Sequence, residues 1–227
     1  MKKGKFKKGK FKKGKFIILE GTDYAGKSTC IRSLVNKLEK EGIKFVNTIE
    51  PGSLLNGKKH MNLCNEIRMQ LLNNKQEPKV EALLFAMSRY FHTLDIIEYL
   101  NKGYHVICDR YFISSLAYQS INLGIYNVYD YNKYAIELLK DYEVYNLILT
   151  LDYDTYKERA SFREQDAMES VSENTIKARL TNMKEIKTAL ETLGMNNWAN
   201  NLYLIDATQT KKEVLNNVEK ILNKIIG

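Results

Sequence analysis

The segment Phe-Ile-Ile-Leu-Glu-Gly-Thr-Asp-Tyr-Ala-Gly-Lys-Ser-Thr at 16–29 contains G-x-x-x-x-G-K-S, with Gly21, Gly26, Lys27 and Ser28 in the fixed positions. Glycines there permit a tight loop whose backbone N–H groups face a polyphosphate, and the start of the following helix adds positive potential. Lys27 can then reach the β- and γ-phosphates, and Ser28 can ligate Mg²⁺. Further along, Asp109-Arg110-Tyr111 follows an apolar run. An acid at a strand end can hold Mg²⁺ or its waters, and the adjacent Arg110 can neutralise transferring phosphates. A P-loop implies a nucleotide without specifying the reaction, because the same loop serves kinases, motors, switches and ATPases.

These residues need a scaffold, and the chain supplies its pattern. From Phe16 onward, short apolar runs alternate with longer segments of helical period, which predicts an α/β fold. Five runs read as buried parallel strands: Phe16 to Glu20, Phe45 to Ile49, His105 to Asp109, Tyr145 to Leu151 and Leu202 to Asp206. Ile31, Leu34, Val35 and Leu38 mark one helical face, and Val80, Leu83, Leu84 and Met87 mark another. Val214, Val218, Ile221, Leu222 and Ile225 predict a C-terminal helix. The expected fold is a doubly wound five-stranded parallel sheet with helices on both faces, a P-loop NTPase architecture with a small lid. Ligands bind beyond the carboxyl ends of such strands, which directs attention to the loops after residues 20, 49, 109, 151 and 206.

Composition narrows the class. A hydrophobic fraction of 44% with 27% charged residues is ordinary for a globular protein, and no apolar run is long enough to cross a bilayer. The basic N-terminus lacks the apolar stretch of a secretory signal, so a cytoplasmic protein is expected. Cys30, Cys64 and Cys108 have no C-x-x-C spacing and fit neither a disulfide framework nor a zinc site. The formal charge of +8 comes from residues 1–15, which hold nine lysines and no acid and leave 26 basic against 27 acidic residues elsewhere. The body is near neutral, which argues against a nucleic-acid face. The lysines belong to a Lys-Lys-Gly-Lys-Phe repeat, present three times and ending at Phe16. Its first two copies bury too little to order themselves, and the third enters the first strand. The expected organisation is a basic low-complexity tail at 1–14 and one domain at 15–227.

With these residues in hand, the chain resembles the thymidylate kinase family over nearly all of 15–227, closer to the bacterial type. The resemblance rests on Glu20-Gly21-Thr22-Asp23 with Gly26-Lys27-Ser28, Glu50-Pro51-Gly52, Glu66-Ile67-Arg68, Leu84-Phe85-Ala86-Met87-Ser88-Arg89, and Asp109-Arg110-Tyr111 through Tyr118-Gln119. It implies a Mg²⁺-dependent transfer from ATP to dTMP by a homodimer. It also implies roles. Gly21, Thr22, Asp23, Tyr24, Ala25, Gly26, Lys27, Ser28 and Thr29 would hold ATP together with Arg159, and Ser28 and Asp109 the metal. Phe85 would stack on thymine, Arg89 and Gln119 would bond the base edge, and Arg68 and Arg110 would hold the acceptor phosphate. Tyr118 would disfavour a ribose 2′-hydroxyl, with Asp23 near sugar and phosphate, and Glu50, Pro51 and Ser115 would complete the dTMP pocket. Asp206-Ala207-Thr208 resembles the loop beside the donor adenine.

The catalytic set implied is Asp23, Lys27 and Arg110, with Arg159 and Arg163 from a lid at about 157–172. Three features depart from the family pattern: Ile49 stands where bacterial-type members carry an arginine, Ser53 where a second glycine is usual, and the lid is lean in arginine; Tyr24 stands where animal-type members carry a P-loop arginine. From periodicity alone, Leu83, Leu84, Phe85 and Met87 equally suit a buried helix face. Two other readings remain: a deoxynucleoside kinase, or a catalytically silent nucleotide-binding protein. Because the repeat's charge lies outside the expected body, deleting residues 2–11 should leave steady-state kinetics unchanged while reducing polyanion binding. A large fall in kcat on truncation would give the tail a catalytic part.

Overall fold

The computed structural model describes residues 12–162 and 171–227. Strand β1 (Phe16–Gly21) is six consecutive buried residues, the mark of a central strand covered on both faces. It lies between β3 (His105–Asp109) and β4 (Val144–Thr150), with β2 (Phe45–Ile49) and β5 (Leu202–Asp206) at the edges. All pairings are parallel, in the order β2-β3-β1-β4-β5. The five strands match the sequence expectation, with β1 and β4 differing by one residue at their ends. Chain order therefore reverses at β1, and a crevice opens at its carboxyl end, where the P-loop begins.

Alternation along β1 assigns the two faces. Phe16 and Ile18 point into a core with Val106, Cys108 and Ile148. It is covered by α3 (Pro78–Asn101), α4 (Phe112–Tyr118), α6 (Ile125–Leu138), α9 (Ile186–Thr192) and α10 (Asn196–Asn200). Ile17 and Leu19 point into the opposite core with Ile107, Leu147 and Leu149. That face is covered by α1 (Lys27–Lys40), α7 (Tyr153–Ala160) and α11 (Lys211–Ile226). Helix α8 (Glu173–Lys184) serves both, with Leu180 in one core and Met183 in the other. Helix α2 (Met61–Asn73) packs on α3, and the short α5 (Ser120–Leu123) links α4 to α6.

Helix α3 departs from its hydrophobic pattern. It starts as the sequence dictates, with Pro78 in the first turn and the Glu77 side chain accepting from the N–H groups of Lys79 and Val80. Its interior face carries Ala82, Ala86, Ser88, Arg89, His92 and Thr93, whereas Val80, Leu83 and Met87 are 44%, 44% and 43% exposed. Leu84 and Phe85 are half-buried. The apolar face read from periodicity is thus the outer one, and the core position goes to an arginine whose polar atoms are answered by neighbours.

The third repeat copy, Lys12–Phe16, runs into β1. The Gly14 N–H donates to the Leu100 carbonyl at 2.8 Å, and the Lys15 ammonium pairs with Glu143 at 3.2 Å. The remainder of the basic tail, 1–11, lies outside the described residues. A Cβ on Gly14 would sit 1.7 Å from the Tyr104 carbonyl oxygen, so the backbone approach there requires glycine. Gly14→Ala should therefore destabilise the fold by about 1–3 kcal/mol, read as a lower midpoint in chemical denaturation. An unchanged midpoint would mean that Gly14 is not packed against the Tyr104 backbone.

Candidate active site

The P-loop closes tightly because Gly21 has no room for a side chain and Gly26 takes a left-handed backbone conformation that favours glycine. A Cβ on Gly21 would lie 2.7 Å from the Leu149 carbonyl oxygen of β4, and Tyr24 and Gly26 adopt positive φ of 63° and 92°. The loop delivers Gly26 to the start of α1, where the N–H groups of Thr29 and Cys30 bond its carbonyl. Lys27 folds back over the loop and donates to the carbonyls of Gly21 at 3.1 Å and Thr22 at 2.9 Å. Burial pulls its ammonium down to about 8, and Arg110 adds to the effect while Asp109, Asp23 and Glu20 oppose it. Ser28 is exposed at the loop mouth. Oδ1 of Asp109 is buried with no hydrogen-bond partner among the described residues. One hydroxyl and one unpartnered carboxylate oxygen suit Mg²⁺, which keeps several waters and takes its other ligands from phosphates. Among the described residues no cluster of three or more His, Cys, Asp or Glu could hold a metal by itself.

Glu20 aligns the next loop. Its buried carboxylate accepts from the N–H of Tyr111 at 2.7 Å and from the N–H and hydroxyl of Ser114 at 3.2 and 2.5 Å, tying β1 to the first turn of α4. Between them, Arg110 takes φ of 67° and swings over the P-loop. It donates to the Gly21 carbonyl at 2.8 Å and to Ser114 Oγ at 3.2 Å, and forms an ion pair with Asp23. Burial tends to raise the Asp23 carboxyl, but Arg110 and Lys27 together hold it below the usual range. Tyr118 donates its hydroxyl to Asp23 at 3.2 Å, and the guanidiniums of Arg110 and Arg179 lie over its ring, 5.4 and 4.5 Å from the centroid. Arg179, on α8, has no motif to mark it in the sequence, yet its charge helps hold Asp23 ionised. Its Nε is buried with no partner among the described residues.

Arg68 reaches the same region from α2. It donates to the Pro51 carbonyl at 2.5 Å and packs over Gly52, whose φ is 100° and whose Cβ would sit 2.9 Å from Arg68 Cδ. Burial lowers the Arg68 pKa, with Asp109 opposing and Arg110 reinforcing. Ser53, in place of the expected glycine, is fully accommodated. The Asn65 amide bonds both its N–H and its carbonyl, at 2.9 and 3.1 Å, and its hydroxyl accepts from Leu55 at 3.1 Å.

Beyond the P-loop residues lies a buried polar cluster. Arg89, 1% exposed, donates from Nε to Glu50 at 2.7 Å, from Nη1 to Ser115 Oγ at 3.1 Å and to Asn132, and from Nη2 to the Tyr111 carbonyl at 3.0 Å. Four of its five N–H groups are thus used, and the fifth, on Nη2, has no partner among the described residues. His92 sits between Glu50 Oε1 at 3.2 Å and Thr48 Oγ1 at 2.8 Å. Gln119 is buried and donates from Nε2 to Glu81 at 2.9 Å. Phe85 is half-buried one turn from each of Glu81 and Arg89 on the same face of α3. Sequence reasoning missed Glu81, His92, Asn132 and Arg179. A signal existed for Asn132, a polar residue in step with Val128 and Ala135 on the buried face of α6.

Arg159 bridges two loops, donating to the Tyr24 carbonyl at 3.2 Å and to the Ala207 carbonyl at 2.6 Å. It thereby joins the P-loop to the Asp206–Thr208 turn, itself closed by Thr208 bonds to Asp206 at 2.9 and 2.7 Å. The other lid candidate, Arg163, lies outside the described residues.

Comparison with known proteins adds a family. The family model described as thymidylate kinase matches residues 19–218. The chain is 33% identical to the thymidylate kinase of Finegoldia magna over 213 residues, covering 92% of this chain and 98% of that protein. It is 38% identical to the thymidylate kinase of Bacillus pumilus over 128 residues, 54% of this chain and 57% of that protein. With that of Clostridium novyi it shares 35% over 128 residues, 54% and 59% of the two chains.

Because burial holds Lys27 near 8 against an ordinary 10.5, phosphates arriving beside it should draw its pKa upward. Binding of MgADP at pH 8.5 should therefore take up protons, measured as a calorimetric heat that varies with buffer ionisation enthalpy, and Lys27→Met should abolish the uptake. The sign for stability follows likewise. The unfolded chain holds the Lys27 proton through the window from about 8 to 10.5 while the folded one releases it, so the Lys27 contribution to stability rises with pH there. Binding without proton uptake by the parent would overturn this account of Lys27.

Proposed function

The chain belongs to the thymidylate kinase family, and from that premise we propose that it transfers the γ-phosphoryl group of ATP to dTMP, giving ADP and dTDP. The observation that carries the proposal is the junction between two kinds of site. Lys27, Arg110 and Arg68 supply positive charge at the ends of β1 and β3, and the Arg89–Ser115–Gln119 pocket lies next to them. Asp23 and Tyr118 join the two. An uncharged acceptor hydroxyl would not call for the Arg68 and Arg110 pair, whereas a nucleoside monophosphate does.

In this reading an acceptor phosphate oxygen, already anionic, attacks the γ-phosphorus in line and ADP leaves. No strong base is needed, so the protein's contribution is alignment and charge neutralisation. P-loop N–H groups and Lys27 hold the donor phosphates. Arg110 and Arg68 hold the acceptor phosphate, with Asp23 fixing Arg110 until phosphate competes for it. Ser28 and Asp109 would hold Mg²⁺, which when bound neutralises charge on the donor phosphates. Arg159 acts from the donor side, tying the P-loop to the turn proposed to border adenine, and Arg163 from the lid. At the other end, Phe85 stacks on the pyrimidine, and Arg89 keeps one N–H for a base oxygen. Tyr118, its hydroxyl bound and two guanidiniums over its ring, cannot yield to a 2′-hydroxyl.

The active unit in this proposal is a homodimer in the cytoplasm. Val80, Leu83, Met87 and Tyr90 form an exposed apolar stripe at helical spacing along α3, fitting a second copy. No described helix is long and apolar enough to cross a membrane. The three cysteines are free and buried, with thiols pushed up to about 11 at Cys30 and about 12 at Cys64, as suits inert packing groups.

A panel of nucleoside monophosphates and free nucleosides with MgATP tests the activity. We expect dTMP first and dUMP weaker by about 1–3 kcal/mol for the lost methyl contact, with purine monophosphates and thymidine inactive. Lys27→Ala should fold normally and lose more than about a hundredfold in kcat. A parent that prefers thymidine would favour a deoxynucleoside kinase, and one with no transfer would favour a silent nucleotide-binding protein.

A further inference from the structure

An amide side chain can read a base edge in two ways, since its oxygen accepts and its nitrogen donates. Which way Gln119 points would decide which pyrimidine it welcomes. In this protein the Gln119 amide is held by a residue outside the family motifs. Glu81 lies in the first turn of α3, where the helix N-terminus favours its negative charge, and its Oε1 accepts from Gln119 Nε2 at 2.9 Å. A carboxylate has no proton to give, so only the amide nitrogen can face it. The carbonyl oxygen of Gln119 is therefore turned away from Glu81.

The surroundings give that oxygen its meaning. Glu81, Phe85 and Arg89 recur at four-residue spacing and share one face of α3. Ser115, which accepts from Arg89 Nη1 at 3.1 Å, is one helical turn before Gln119, whose N–H donates to the Ser115 carbonyl at 3.0 Å. Arg89 and Gln119 thus bring together a guanidinium, which can only donate, and an amide whose acceptor oxygen is turned away from the carboxylate. Thymine and uracil offer the complement, a carbonyl oxygen beside a ring N–H. Cytosine offers the reverse, an amino group beside a bare ring nitrogen, and meets donor with donor and acceptor with acceptor.

We propose that Glu81 is a positioning residue for base specificity, locking Gln119 in the orientation that accepts 3-NH pyrimidines and rejects 4-amino ones. The inference rests on the dTMP kinase reading. It adds that discrimination against cytosine depends on Glu81 although Glu81 need not touch the base.

The test measures kcat/KM of the full chain for dTMP, dUMP and dCMP at saturating MgATP, in the parent, Glu81→Gln, Glu81→Ala and Gln119→Ala, and in the double variant of Glu81→Gln with Gln119→Ala. A glutamine at 81 can donate as well as accept, so Gln119 is free to turn over. The ratio of dTMP to dCMP efficiency should then narrow by about tenfold or more, through a lower KM for dCMP as well as a higher one for dTMP. The dTMP to dUMP ratio, which depends on the methyl group, and the KM for MgATP should stay put. In the Gln119→Ala background, Glu81→Gln should change nothing further. A purely structural part for Glu81 would lower all three pyrimidine efficiencies in parallel, and that result would overturn the proposal. So would additive effects in the double variant. Should Glu81→Gln melt early, Glu81→Ala carries the same expectation for the ratio. A parent inactive on every pyrimidine nucleotide would instead overturn the activity reading itself, a separate outcome from an active parent whose ratio is indifferent to Glu81.

Discussion

A fully buried guanidinium is the constraint around which four elements of this protein are organised. Removing Arg89 from water costs several kcal/mol unless its N–H groups find partners and its charge an opposite one. The partners come from four places: Glu50 after β2, the Tyr111 carbonyl after β3, Ser115 on α4 and Asn132 on α6. Each bond fixes an element relative to α3. Leaving such a charge without one of its partners typically costs about 3–5 kcal/mol, so these elements are held in register with one another. Buried ion pairs can be replaced by apolar packing without loss in many proteins, so the value of this one lies in geometry, leaving a single N–H among groups otherwise satisfied.

The network extends past the arginine. His92 donates to one Glu50 oxygen while Arg89 takes the other, and its second ring nitrogen meets Thr48, whose hydroxyl also accepts from the Leu54 N–H at 3.1 Å. Thr93 and Tyr111 share a hydrogen bond of 2.5 Å on the same side of the helix. One turn of α3 therefore anchors the Glu-Pro-Gly loop and the start of α4 together.

Around the P-loop the logic is different, because the cations there are held by backbone carbonyls and one half-buried carboxylate. Arg110, Lys27 and Asp23 satisfy one another and the P-loop carbonyls, and burial works against the charge on Lys27. Such an arrangement is compact but poised. Arriving phosphates offer the cations stronger partners than backbone carbonyls do. Tyr118, with the guanidiniums of Arg110 and Arg179 over its ring and its hydroxyl on Asp23, ties α4 and α8 to this cationic cluster.

The amino-acid sequence determined the strands, the P-loop and the helix starts, because each depends on local rules. Apolar runs of five to seven residues name the strands. Glycine spacing names the phosphate loop, and Glu77-Pro78 marks the start of α3. Tertiary structure decided what the polar side chains do. Arg89 meets Asn132 across 43 positions, Gln119 meets Glu81 across 38, and Arg159 meets Ala207 across 48. Periodicity says which residues share a face but not what covers it. On α3 it marked Val80, Leu83 and Met87, while the folded chain turned the small and polar face inward. The physical reason is that burial tolerates polar atoms only where their hydrogen bonds are satisfied, and whether a polar atom is satisfied depends on partners that only the folded chain brings within reach.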